Sequence, residues 1–298
     1  MILCLGEALV DLISDRRARS FADAGCFRPH FGGALANVAV ASSRAGAPTA
    51  LAGAAGDDEW GDWLCDRLAA EGVDLSWFER LRGEPTPVAF AIVDQAGDPR
   101  FQIYGESIAA AVAAVEPRLD DALAAADALV FGSTTLASEG ERAATLRARE
   151  LALERGVRVC FDPNIRPNRW GGDPVPAIAA SRELVGGSFC VRANREEAVA
   201  IAGEDDPRRA ADAIAEMGAE IAVVTLGAGG AVIRGACEAD APAAEVEVVS
   251  TLGAGDAFMG TLVAEIAARE WDPARAAEAL APALEAAGDA CTRLSALG

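Results

Sequence analysis

The chain has 298 residues, a net charge of −20 and a pI near 4.4, a balance that argues against nucleic-acid and anionic-membrane partners because both bind basic patches. All 26 basic residues are Arg and Lys is absent, which excludes a Walker A loop, a protein-kinase strand lysine and Schiff-base or pyridoxal chemistry, each of which needs an amine. His30 is the single histidine, so no His-rich metal centre can be built, and small molecules remain as the expected ligands.

The N-terminal run MILCLGEALVDL reads as a strand that opens the fold. It lacks the basic flank of a signal peptide, and no apolar run is long enough to span a membrane, so the cytoplasm is the expected compartment. FGGALANVAVASSRAG predicts a Gly-Gly turn, preceded by His30 in a loop, and then an Ala-rich helix closed by Gly46. TALAGAAG follows as a strand, and a helix is expected over 59–70. PTPVAFAIVDQAGDPRFQIYG then alternates like an antiparallel hairpin turning near Gly97 and Asp98. With the polar segment after Asp11 as its partner, it predicts a small β lid formed by about 12–30 and 85–107.

Further strands are expected at ALVFGS, VRVCFDP, SFCVRA, IAVVTLG, GAVIRG and VEVVS, with helical patterns between them. This alternation predicts a single α/β domain over 1–298, a parallel sheet with helices on both faces. The seven scattered cysteines form no C-x-x-C pair and read as reduced packing residues.

Chemistry concentrates in EVEVVSTLGAGDAFMGTLVAEIAARE, read as an apolar strand, a turn of small residues and a long helix. The unsatisfied amides and positive end of a helix can hold a transferring phosphate at Gly253, Ala254 and Gly255. Asp256 at the same turn is either a helix cap or a base that takes the proton of an attacking hydroxyl. In FGGALAN, Gly32 and Gly33 let a ligand approach the backbone and Asn37 offers both a donor and an acceptor.

These two segments resemble the N-terminal and C-terminal signatures of the PfkB-type carbohydrate kinases. FDPNIRPNRW (161–170), NREE (194–197) and VTLGAGG (224–230) fall between them in the order of that family's other motifs. The resemblance covers nearly the whole chain and implies a ribokinase-like three-layer αβα sandwich with a β-sheet lid. It also implies a phosphoryl transfer from ATP, with Mg²⁺, to the hydroxyl of a sugar of fructose or 2-keto-3-deoxygluconate type.

On that resemblance Asp256 is the base and the amides of Gly253, Ala254 and Gly255 are the anion hole. Asp11, Gly32, Gly33, Asn37, Tyr104 and Arg166 would meet the sugar; Asn164, Asn194, Thr225, Gly227 and Gly230 would meet the nucleotide; Asn194 and Glu197 would organise Mg²⁺ through water. Each carries a plainer alternative: a surface helix for 194–197, a strand-ending turn for 225–230, a surface ion pair for Arg166. Ser250 stands where the family usually carries Asp, which argues against a monovalent-cation site, and no Arg follows Tyr104. Lid pairing in the family implies a homodimer. The alternatives to a sugar kinase are a nucleoside kinase and a non-catalytic sugar- or nucleotide-sensing relative.

Overall fold

In the computed structural model, which describes residues 1–104 and 107–297, strand β1 (Ile2–Leu5) is buried on both faces. Ile2 and Cys4 join one apolar cluster while Leu3 and Leu5 join another, the period-two split of a strand covered on both sides. The remaining strands are β2 (Leu9–Ser14), β3 (Phe27–Gly32), β4 (Thr49–Gly56), β5 (Phe78–Leu81), β6 (Val88–Val93), β7 (Pro99–Tyr104), β8 (Ala128–Gly132), β9 (Arg158–Asp162), β10 (Cys190–Asn194), β11 (Ile221–Thr225), β12 (Ala231–Gly235) and β13 (Ala239–Ala241). The helices are α1 (Ala34–Arg44), α2 (Glu59–Ala70), α3 (Ser107–Ala114), α4 (Leu119–Ala124), α5 (Glu139–Arg155), α6 (Val175–Val185), α7 (Arg195–Ala202), α8 (Pro207–Glu216), α9 (Ala254–Ala268) and α10 (Leu280–Cys291).

The large sheet has the order β13-β12-β11-β10-β9-β8-β1-β4-β5. Helices α1, α2, α9 and α10 pack on one face and α3 through α8 on the other, giving the three-layer αβα architecture. The strands from β11 to β5 pair in parallel. The edge departs from the expected all-parallel sheet: β12 and β13 fold back antiparallel, because GAVIRG follows β11 across a short 3₁₀ turn with no crossover helix. The chain turns to opposite sides of β1 through β4 and β8, so a crevice opens at the carboxyl ends of these strands, where α/β sheets bind ligands.

A second sheet of order β3-β2-β6-β7 stands over that crevice. Strand β2 is antiparallel to β3 and parallel to β6, and β6 is antiparallel to β7. Its inner side chains reach the body: Leu9 and Ala89 meet Ile108, and Ile13 and Ala91 meet Leu252 and Ala296. Its first strand begins at Leu9, ahead of the expected lid boundary, and part of the expected 85–107 segment, residues 105–106, lies outside the described residues. His30 is in strand β3 opposite Asp11 and not in a loop.

Residues 242–250 form no strand, correcting the reading of VEVVS. Alternation alone does not make a strand without an edge to pair with, and β13 already occupies that edge. The backbone finds other partners: the Val249 and Ser250 amides donate to the Cys291 carbonyl at 2.8 and 3.2 Å, and Arg17 donates to the Val248 and Val249 carbonyls. Cys4, Cys160 and Cys190 are buried packing residues, whereas Cys26 is exposed. Among the described residues no helix is long and apolar enough to cross a membrane.

Candidate active site

Helix α9 starts without a side-chain cap, from Gly253 in the left-handed region at φ 75°. The Ala254 amide turns back to the Thr251 carbonyl at 3.3 Å, so of the three amides expected to form an anion hole this one is engaged within the turn. Asp256, in the first turn, is 7% exposed. One of its oxygens accepts from Asn37 Nδ2 at 2.9 Å and the other from Asn164 Nδ2 at 3.3 Å. These amides come from α1 and from the loop after β9, so the carboxylate is oriented from two sides rather than folded back as a cap. Burial raises its pKa, and Glu7 adds to that; Arg166, the Asn37 hydrogen bond and Arg192 hold it down.

Asp11 projects from β2 over Gly32 on the paired strand, where a Cβ would collide with its carboxylate. It is 5% exposed, and burial, reinforced by Asp256, pushes its pKa up to about 7. Gly33 carries φ 97° and turns the chain into α1, whose Ala34 amide donates to Glu7. Glu7, Asp11, Gly33, Asn37, Arg166 and Asp256 line one cavity. Its apolar side is built from Leu9, Phe101, Ile103 and Ile108. Arg166 has no ion pair among the described residues. Tyr104, expected to meet the sugar, is 52% exposed and packs edge-to-face on Phe90 at 5.8 Å, outside the cavity lining.

Along the crevice, Asn194 and Glu197 form a capping box at the start of α7. Asn194 Oδ1 accepts from the Glu197 amide at 2.9 Å, and Glu197 accepts from the amides of Asn194 at 3.0 Å and Ile165 at 2.7 Å. Asn164, expected beside the nucleotide, instead reaches Asp256, from a backbone with φ 40°. Thr225 ends β11 and accepts from Arg192. Gly227 opens a turn at φ 58° with free space where a Cβ would stand, whereas a Cβ on Gly230 would strike the Ala241 carbonyl of β13. Gly230 is therefore needed for strand packing whatever else it does.

The sequence reading missed Arg192 and Asp162. Arg192 on β10 pairs with Asp162 at 3.1 Å and donates to Thr225 at 2.8 Å. Burial, with Glu197 and Asp256 nearby, pushes the pKa of Asp162 upward, against the pull of that partner. It also missed Glu7 and Arg169, the latter held by the fully buried Glu141 at 2.9 Å. For Arg192 the signal was present, a charge inside the apolar run FCVRAN where a doubly covered strand needs an apolar residue; Glu7 lies in the short link between β1 and β2.

An oriented carboxylate beside an uncapped helix start, with a second carboxylate in the same cavity, suits the movement of a phosphoryl group onto a polyol hydroxyl. Set at the switch point of a three-layer sheet and covered by a small one, it defines the ribokinase-like class of small-molecule kinases. Within that class the chain belongs to the pfkB family of carbohydrate kinases, which residues 1–296 match. It is a phosphotransferase with a carbohydrate hydroxyl as acceptor.

Fructokinase-1 of Zea mays is 31% identical over 278 residues, 89% of this chain and 83% of the relative. An Escherichia coli protein assigned as ribokinase II, solved with ATP and Mg²⁺, superposes with a TM-score of 0.85 at 26% identity, covering 99% of this chain and 94% of that one. The aminoimidazole riboside kinase of Salmonella enterica, solved with its riboside and an ATP analogue, gives a TM-score of 0.81 at 28% identity over 100% and 95%.

Proposed function

We propose that the chain transfers the γ-phosphoryl group of ATP to a hydroxyl of a fructose-like sugar, with Asp256 as the base. The observation that carries the reading is the Asp256 carboxylate held by Asn37 and Asn164 at the uncapped start of α9. A sugar in the cavity meets Asp11, which accepts from neighbouring hydroxyls, and presents one hydroxyl to Asp256. The carboxylate takes that proton as the oxygen attacks, and the amides of Gly253 and Gly255 stabilise the charge that develops. The small sheet acts as a lid that keeps water from the phosphoryl group.

ATP would lie along the carboxyl ends of β10 and β11, against Thr225 and Gly227. Mg²⁺, when bound with the nucleotide, neutralises phosphate charge. Among the described residues no cluster of three His, Cys, Asp or Glu offers a direct metal cage. Glu197 already accepts two backbone amides, so it and Asn194 suit contacts through water. Ser250 is fully buried and its hydroxyl accepts from the Leu252 amide, a neutral position that supports turnover without a monovalent cation. The outer face of the small sheet carries the edge-to-face ladder of Phe27, Phe90 and Tyr104, which supports pairing with a second copy.

A nucleoside acceptor is the second reading. It is favoured by the similarity to the aminoimidazole riboside kinase and by the apolar side of the cavity at Phe101, Ile103 and Ile108. The test is ATP-dependent phosphorylation of fructose, 2-keto-3-deoxygluconate, ribose, other hexoses and nucleosides by wild type and Asp256→Asn. Fructose turnover that the substitution abolishes supports the proposal; a nucleoside product replaces it with the second reading. Binding of sugar without turnover points to a sensor.

A further inference from the structure

Strand β10 alternates cleanly until Arg192. Cys190 lies in one apolar cluster, and Val191 and Ala193 lie in the other. Position 192 should therefore face α9 with an apolar side chain; instead it places a guanidinium there with only 7% exposure. A buried charge is costly unless paired and hydrogen-bonded. Here Nη1 pairs with Asp162 at the end of β9, and Nη2 donates to Thr225 at the end of β11. One side chain thus ties the carboxyl ends of three adjacent strands.

The same guanidinium lies directly against α9. A Cβ built on Gly255 would stand 2.9 Å from Arg192 Nη1 and 3.1 Å from Nη2, and the guanidinium carbon sits 5.8 Å from the Phe258 ring centroid one turn further along. We propose that Arg192 is a positioning residue for phosphoryl transfer: its braced guanidinium seats the first turn of α9 and adds positive charge behind the amides that receive the phosphoryl group. In a chain without lysine, it adds a second cation, from beneath the turn, to the exposed Arg166 that lines the cavity. Gly255 is the residue that lets the charge approach so closely.

The proposal rests on α9 being the phosphoryl-receiving turn, and its consequences for Asp256 follow from geometry. The charged groups around Asp256 are Asp11 from β2, Glu7 after β1, Asp162 on β9, Arg166 and Arg169 in the segment that follows β9, and Arg192 on β10. Arg192 favours the ionised form of Asp256. Replacing it by Met also neutralises Asp162, which offsets part of the loss, but the guanidinium is the group in contact with the α9 turn, so the net change favours protonated Asp256.

The test measures turnover of ATP with fructose, or with the panel compound turned over fastest, for wild type, R192M, R192K and D256N, with sugar binding by calorimetry as the check on folding. R192M is expected to lose kcat by about 10²-fold or more, the scale of removing an oxyanion-hole donor, while sugar affinity stays within about threefold. R192K should recover only part of the loss, since an ammonium does not span Asp162 and Thr225 as a fork does. The acidic limb of kcat/KM should move to higher pH in R192M. Near-wild-type kcat in R192M, an unmoved acidic limb or full recovery in R192K would overturn the proposal. Should R192M fail to fold, R192K and R192Q carry the test: reduced kcat at unchanged sugar affinity supports it, and wild-type kcat in both overturns it. D256N turning over like wild type would remove the base while leaving the effect of R192M on kcat in place, so the two readings fail separately.

Discussion

Of the helices that begin at the crevice, α7 and α9 begin differently. Helix α7 is closed by its own capping box, with Asn194 and Glu197 exchanging hydrogen bonds with each other's amides. Helix α9 starts from Gly253 with no side-chain cap, its only acid in the first turn held away by Asn37 and Asn164. A side-chain cap stabilises a helix start by about 1 kcal/mol, so the bare end of α9 gives up local stability and keeps donors for a ligand. The α7 end supports; the α9 end reacts.

The sharpest way to break this contrast is D256N, which removes the base and leaves the α9 turn intact; kcat should fall by about 10²- to 10⁴-fold, read by a coupled ADP-release assay. Next is D11N. Burial raises the folded pKa of Asp11 to about 7, well above the ordinary range of a carboxylate, so the folded state holds its proton more tightly than the unfolded state does. Its contribution is fully present below about pH 4 and is lost as pH rises through 7, a linkage of up to about 4 kcal/mol. D11N should therefore raise the Tm at pH 8, leave it unchanged near pH 4, and weaken sugar binding; calorimetric melting at the two pH values checks it.

G255A follows: its methyl must displace the Arg192 guanidinium. A drop in kcat of about tenfold with sugar affinity kept is expected, and wild-type turnover would show that the turn has slack. Smallest is N194A, which uncaps α7 and should cost about 1 kcal/mol of stability in denaturant titration. A cost near zero would dissolve the distinction between the two helix ends.

What could be read from the sequence depended on how local the pattern was. The Gly-Gly turn into α1 and the small-residue turn into α9 are each contained in a few consecutive residues, so FGGALAN and GAGD were legible, as were the αβα layers from the alternation of apolar strands and helices. The Arg192–Asp162–Thr225 network was not, because its members lie on three strands and meet only through sheet register. VEVVS misled for a related reason: its alternation is genuine, but whether it forms a strand is decided by the edge that β13 occupies. Tyr104 and Gly230 show the converse. Their motif positions were plain, yet the side chain of Tyr104 points out beside Phe90 and Gly230 is fixed by the close approach of β13.

The hydrogen bond from Asn37 to Asp256 joins residues 219 positions apart. Contacts of that separation form late, after the loop between them has been closed at an entropic cost. During synthesis, which proceeds N-terminus first, the sugar-side residues on β2, β3 and α1 leave the ribosome long before α9 exists. A chain cut short of α9 therefore has no reactive centre, and the ability to consume ATP is acquired only as the last helices dock. Premature termination upstream of α9 yields an inert product rather than an unregulated one.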